Sequence, residues 1–173
     1  MKKLILAALI APTAFAATTA SAATVTAGMA STSTTLSGDR NEYYVAVDST
    51  QSGFINIDSD SMFGTELLGI GAGYTDVEGG SVLSMYFKPK VNMGFFQPNE
   101  SFAKKVTIYG KIGASAYRLS DSNDNTADSS MMYGLGTHVA INDSWGVDFH
   151  YDSLYSNDVF ELTSVNLGVA YTF

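Results

Sequence analysis

The 173-residue chain has no cysteine, which excludes a disulfide framework, thiolate metal sites and a cysteine nucleophile. Charge is also scarce: 15% of its residues are charged, against about 25% in ordinary soluble domains. The 9 basic residues face 17 acidic ones, a formal net charge of -8, so there is no basic face for nucleic acid. No run of apolar residues approaches the roughly 20 that a membrane-spanning helix needs. Proline occurs only 3 times, whereas there are 16 Gly, 10 Tyr and 10 Phe. Few charges with many glycines and aromatics suit a β protein with an apolar outer surface. The length suits one domain.

Lys2 and Lys3 precede an apolar run over residues 4–11, followed by small residues ending Ala20-Ser21-Ala22. This is the basic, apolar and A-x-A order of a secretory signal peptide, too short to anchor as a helix. Cleavage is placed after Ala22, with Ala14-Phe15-Ala16 as the other site, so the domain proper is residues 23–173. Removing residues 1–22 takes two lysines and no acid, leaving 7 − 17 = −10.

Beyond that segment the chain alternates with period two, the spacing of a strand with one apolar face. Val165, Leu167, Val169, Tyr171 and Phe173 share one face, with Asn166, Gly168, Ala170 and Thr172 on the other. Trp145, Val147, Phe149 and Tyr151 alternate with Gly146, Asp148, His150 and Asp152, after a tight turn at Asn142-Asp143. Tyr133, Leu135, Val139 and Ile141 belong to the strand before it, opposite Gly134, Gly136 and His138. Earlier strands are read from Val106, Ile108 and Ile112, from Leu83 through Phe95, and from Leu68, Ile70 and Tyr74. Pro89 interrupts the second of these and predicts a local irregularity in a strand that continues. Nearer the start two readings stand. Either one long strand covers residues 42–58 and residues 24–36 open the barrel, or residues 49–52 form a hairpin turn. Both give eight strands.

Two features put the apolar face outside. The polar faces are rich in glycine and small residues, which fit the cramped interior of a small barrel. The aromatics also fall in two bands, Phe95, Trp145, Tyr171 and Phe173 at one rim and Tyr43, Tyr74, Tyr133 and Tyr151 at the other. Paired aromatic girdles mark transmembrane β-barrels. Short turns then lie at the periplasmic end and the polar stretch over residues 120–129 outside. The expected fold is all-β, an eight-stranded antiparallel up-and-down transmembrane barrel. Closure is required because an open edge in hydrocarbon would leave backbone groups unpaired.

The alternating final strand ending in Tyr171 and Phe173 resembles the C-terminal assembly signal of Gram-negative outer-membrane barrels. With the runs Tyr109-Gly-Lys-Ile-Gly-Ala and Tyr133-Gly-Leu-Gly, the chain resembles the small eight-stranded OmpA/OmpX-like superfamily, best over residues 64–173. That resemblance implies a monomer in the outer membrane, in contact with lipid and lipopolysaccharide. It also implies delivery by periplasmic chaperones and the barrel assembly machinery, and no cofactor. A structural or surface-interaction role through external loops, with an extracellular or host ligand, follows from the resemblance alone. A narrow porin-like channel and, more remotely, a lipid-modifying hydrolase are the competing readings.

The polar faces carry the candidate chemistry. Asp48, Lys88, Lys90, Lys111, His138, Asp148, His150 and Asp152 all fall on the inward phase. The cluster Asp148, His150, Asp152 and His138 could serve a metal or a Ser/His/Asp hydrolase, but no motif ties a serine to it. A salt-bridged lumen network is the simpler expectation, because charges in a narrow interior must pair. The loop Asp121-Ser-Asn123-Asp-Asn125 opens like a calcium loop, yet Thr126 replaces the turn glycine and Met132 the bidentate glutamate. Deletion of Phe173 is expected to leave the chain periplasmic and degraded, because the last strand must pair before the barrel closes. Normal heat-modifiable protein in the outer-membrane fraction of the deletion strain would contradict this.

Overall fold

A computed structural model describes residues 22–38, 42–62, 65–77, 79–119, 127–157 and 160–173, with side chains at 36–38, 42–49, 119 and 127 outside the description. Eight strands form: β1 Ala23–Gly38, β2 Glu42–Ser59, β3 Leu68–Val77, β4 Gly80–Asn92, β5 Val106–Leu119, β6 Ala127–Ala140, β7 Trp145–Ser156 and β8 Phe160–Thr172. Each is antiparallel to the next, and β8 pairs with β1 to close a barrel. The seam is sealed by the last residue: Phe173 N donates to Ala23 O at 3.0 Å, and Ala23 N donates to Phe173 O at 3.2 Å. No helix among the described residues is long and apolar enough to cross a membrane.

The period-two pattern sets the burial. Outward residues such as Met85, Leu135, Phe149 and Leu167 are exposed, whereas inward Tyr86, Lys111, Asp148 and His150 are buried. The apolar face is therefore the outside of the barrel, and a single apolar core is replaced by an interior filled with side chains, many of them polar. The first reading of the N-terminal region holds, with β1 opening the barrel and β2 a single strand through residues 49–52. Pro89 leaves its mark where expected. The β4–β5 ladder runs to Phe87–Ile112 and resumes at Lys90–Tyr109, and the strand carries on to Asn92.

Three expectations need correction. The alternation through Met93 and Phe95 is not strand: β4 stops at Asn92, whose side chain accepts from Gly94 N, and Met93–Phe95 is a 3₁₀ turn. The polar stretch over 120–129 is shorter as a loop, because β6 already begins at Ala127. At the end that holds Ala23 and Phe173, the connections are not uniformly short. Residues 93–105 form the longest one between described strands, with a second 3₁₀ turn at Ala103–Lys105. At the far end, β3 and β4 meet in a tight hairpin, where Gly79 takes φ 74°, a conformation that favours glycine. The signal-peptide expectation falls on residues outside the description apart from Ala22, as does the calcium-loop reading of Asp121 to Asn125.

Inside, one close approach depends on a missing side chain. A Cβ on Gly136 would run into the Tyr109 ring and lie 2.7 Å from His150 Cβ. Tyr109 cannot swing aside without losing its bond to Asp148 at 2.6 Å. Gly136→Val is expected to destabilise the barrel by about 1–3 kcal/mol or more through overpacking. Thermal unfolding in detergent, followed by loss of heat-modifiable mobility, measures this; an unchanged midpoint would contradict the packing.

Candidate functional site

The inward alternation of four strands brings eight side chains into one closed ring. Asp58 of β2 accepts from Lys88 Nζ at 2.7 Å and from the Tyr86 hydroxyl at 2.8 Å, both on β4. Lys88 Nζ also lies 4.1 Å from the centre of the Tyr109 ring on β5. The Tyr109 hydroxyl donates to Asp148 on β7, and Asp148 meets His150 Nδ1 at 2.7 Å. His150 Nε2 lies 3.3 Å from Asp152, which accepts from Lys111 Nζ at 3.0 Å. Lys111 Nζ in turn sits 5.0 Å from the centre of the Tyr86 ring, which returns to Asp58. Each lysine thus holds one carboxylate and lies over the tyrosine that serves another.

The i, i+2 spacing on each strand explains why these groups meet. Register does the rest, setting Asp58 opposite Gly71 and Gly71 opposite Tyr86, so that no side chain blocks the span between β2 and β4. The charged members are deeply buried; Lys111 and Asp152 side chains are 1% and 6% exposed. In such a space each ammonium and carboxylate requires its partner, since a lone buried charge costs several kcal/mol.

Layers of different character lie on either side of the ring. Toward the far end, Val77, Val82, Leu154, Tyr155 and Leu162 form an apolar cluster, with Tyr117 and Phe160 packed against it. A bulge between Ser153 and Tyr155 lets β7 bury residues 152–155 in succession, which strict alternation would not allow. Toward the terminal end the interior opens into a polar vestibule lined by Thr24, Asp60, Lys90, Thr107, His138 and Thr172. There Lys90 Nζ pairs with Asp60 at 3.2 Å.

Of the residues expected in the lumen network, Lys88, Lys111, Asp148, His150 and Asp152 are in the ring. Lys90 lies in the vestibule, and His138 Nδ1 approaches Asp148 only to 3.7 Å. The Asp48 side chain lies outside the described residues. Asp58 and Asp60, the partners of two lysines, were missed. Their signal was present: Asp58 shares the inward phase of Phe54 and Asn56, opposite the apolar Ile55 and Ile57. As for catalysis, the His150 ring nitrogens face Asp148, Asp152 and, at 3.4 Å, the Asn56 amide. No serine hydroxyl bonds to the imidazole among the described residues. Nor do those residues contain a group of three or more His, Asp or Glu placed to hold a metal ion.

This geometry, an apolar exterior around a salt-bridged interior, is that of a membrane barrel. The family model for the outer membrane protein beta-barrel domain matches residues 4–173. The chain belongs to that family. This outer-membrane barrel is also similar in fold to solved structures of low identity. Ail, the attachment invasion locus protein of Yersinia pestis, is 15% identical with a TM-score of 0.54, over 88% of this chain and 99% of that one. Neisserial surface protein A gives 13% and 0.55, over 89% and 100%. The N-terminal barrel domain of Pseudomonas aeruginosa OprF gives 13% and 0.51, over 87% and 97%. No curated protein matches the sequence.

Several aromatics of the two expected bands lie on the outer surface of the outer-membrane barrel. Trp145 and Tyr171 are register partners at the terminal rim, with ring centres 4.9 Å apart, and Tyr171 stacks toward Phe173 at 6.2 Å. Val165, Leu167, Val169, Tyr171 and Phe173 all face outward and are exposed. Tyr133 and Tyr151 are exposed on the far half, and Tyr74 is half-buried on β3, between Ile55 and Leu83. Phe95 is exposed but on the 3₁₀ turn rather than a strand, and the Tyr43 side chain lies outside the described residues.

Lys111→Met is expected to destabilise the barrel by about 3–5 kcal/mol, because it strands Asp152 in the interior. Adding Asp152→Leu to that variant should recover much of the loss. Midpoints of denaturant unfolding for both variants test this, and a single variant as stable as the parent would contradict the ring.

Proposed function

We propose that this outer-membrane barrel is a non-enzymatic surface-interaction protein that presents an elevated sheet edge outside the cell, after export and removal of residues 1–22. One observation carries the reading. The β1–β2 ladder continues from Gly28–Phe54 up to Gly38–Glu42, whereas β3 already ends at Val77 in its hairpin with β4. Ten more residues on β1 at about 3.3 Å each carry this pair well past the end of β3, while β8 stays paired with β1 as far as Leu36, so the raised edge is that of β2. Its outward residues turn polar at Ser31 and Gln51, immediately above exposed Met29, so the tall part belongs in water rather than lipid. The interior supports a closed barrel over a channel, since the ionic ring and the apolar cluster occupy it in successive layers. The fold it shares with a protein named for attachment and invasion fits a role at the cell surface. The terminal end faces the periplasm in this reading, with chaperones and assembly machinery as transient partners and the external ligand as the lasting one.

Two measurements test the proposal. The purified barrel in planar bilayers is expected to give little steady conductance; a large, stable, ion-selective current would replace the reading with a pore. Trimming the β1–β2 pair above Ser33–Ser49 and rejoining it with Asn-Gly should leave a heat-modifiable barrel. Attachment of expressing cells to cultured animal cells should fall several-fold. Undiminished attachment with the trimmed barrel would overturn the surface role.

A further inference from the structure

The connection between β4 and β5 has more exposed apolar surface than a simple turn requires. Phe95, Phe96 and Phe102 are 80%, 63% and 67% exposed. The segment is nonetheless ordered. Asn92 accepts from Gly94 N at 2.8 Å and donates to Lys104 O at 2.9 Å, so one side chain ties both ends together. Phe96 N and Gln97 N both donate to Met93 O at 3.1 Å, and Lys105 N donates to Phe102 O at 2.9 Å. Phe95 and Phe96 meet edge to face with centres 5.3 Å apart. Between Phe96 and Phe102 lies an open hollow of about 670 Å³, lined also by Met93, Pro98 and Val106.

Charge singles out the same segment. Lys88, Lys90 and Lys111 are committed to Asp58, Asp60 and Asp152, and Arg118 lies at the far end of β5. Among the described residues, Lys104 and Lys105 are the exposed lysines, and both follow Phe102 closely. Glu100 is the one acidic residue over 93–105, so the segment is net positive in a chain whose domain carries −10. The segment also continues the lipid-facing belt. It emerges from the strand that carries exposed Leu83, Met85 and Phe87, half-way round the barrel from Trp145, Tyr171 and Phe173.

We propose that residues 93–105 form an interfacial foot that binds acidic phospholipid headgroups in the leaflet at the terminal end. The phenylalanines enter the boundary of the acyl chains, and Lys104 and Lys105 meet the headgroup phosphates. Apolar aromatics beside lysines are the composition that lies in a membrane interface, and each lysine near an anionic surface adds attraction. The arrangement would fix the height and tilt of the barrel on the side opposite its aromatic seam.

The test uses the refolded barrel in detergent, with Trp145→Phe and Phe102→Trp giving a single reporting indole. Short-chain phosphatidylglycerol should shift its emission to the blue and shield it from aqueous acrylamide. Phosphatidylcholine of equal chain length should require roughly tenfold more lipid for the same change. Lys104→Gln with Lys105→Gln should abolish that preference. Heat-modifiable mobility confirms in each case that the barrel itself has formed. Should the indole variant not fold, the unmodified barrel supplies the second measurement. Its unfolding temperature should rise more with phosphatidylglycerol than with phosphatidylcholine, and the double glutamine variant should lose the difference. An indole that stays open to acrylamide, or equal responses to both lipids, would overturn the proposal. So would an indole shielded without any lipid preference, which points to a protein occupant.

Discussion

Closing eight strands leaves an interior only about wide enough for side chains to fill, and alternation dictates that this interior is polar once the outside faces lipid. Those two facts together set the central constraint. The inward positions cannot hold water in quantity, so whatever charge they carry must be neutralised by another strand. The ring through Asp58, Lys88, Tyr109, Asp148, His150, Asp152, Lys111 and Tyr86 meets the constraint with both salt bridges and cation–aromatic contacts. It takes members from β2, β4, β5 and β7, so walls far apart in the strand order are joined across the lumen. Backbone ladders alone bind each strand only to its two neighbours.

The other interior features follow from accommodating that ring. Long side chains reaching across need bare wall opposite them, which is why Gly71 and Gly136 stand where Tyr86 and Tyr109 arrive. Phe54 packs perpendicular to the His150 ring with centres 5.0 Å apart. Above it, the β7 bulge inserts Leu154 and Tyr155, and the Tyr155 hydroxyl bonds Asp128 of β6 while Ser115 bonds the Leu154 carbonyl. The apolar layer is thus itself anchored to the wall by polar groups. A replacement of one buried ionic partner acts on this whole assembly, because the remaining charge has no nearby water to turn to.

Much of this was legible because a strand has a period of two and a barrel has two kinds of face. The phase of Asp148, His150 and Asp152, and of Lys88 and Lys111, could be assigned from their apolar neighbours alone. What the alternation does not carry is partnership. Lys88 meets Asp58 only because the ladders place β2, β3 and β4 in a particular stagger, and no residue spacing along one strand encodes that. Asp58 and Asp60 were lost at a strand end, where a polar residue reads as the start of a turn. Met93 and Phe95 misled in the opposite way. They extend the apolar phase of β4 beyond Asn92, yet their backbone is bent into a 3₁₀ turn by the Asn92 cap. Periodicity records where apolar surface is wanted, and at Phe95 it is wanted at a membrane boundary rather than on a strand.

The two ends of the barrel therefore solve different problems with different means. A conventional division would give short turns to one end and long loops to the other. Here the far end gains its height from strands, with β1 and β2 of 16 and 18 residues against 10 in β3. A hairpin held by ladder hydrogen bonds loses less entropy on meeting a partner than a loop of the same reach, since its backbone is already fixed. Its cost is the strand edge it raises into water, which polar outward residues such as Ser31 and Gln51 keep soluble. The terminal end does the reverse, spending its longest connection on a compact, capped segment that holds three phenylalanines outward. Holding such side chains exposed is unfavourable in water and favourable at an interface, so the ordered backbone at that end suits a segment with lipid beside it.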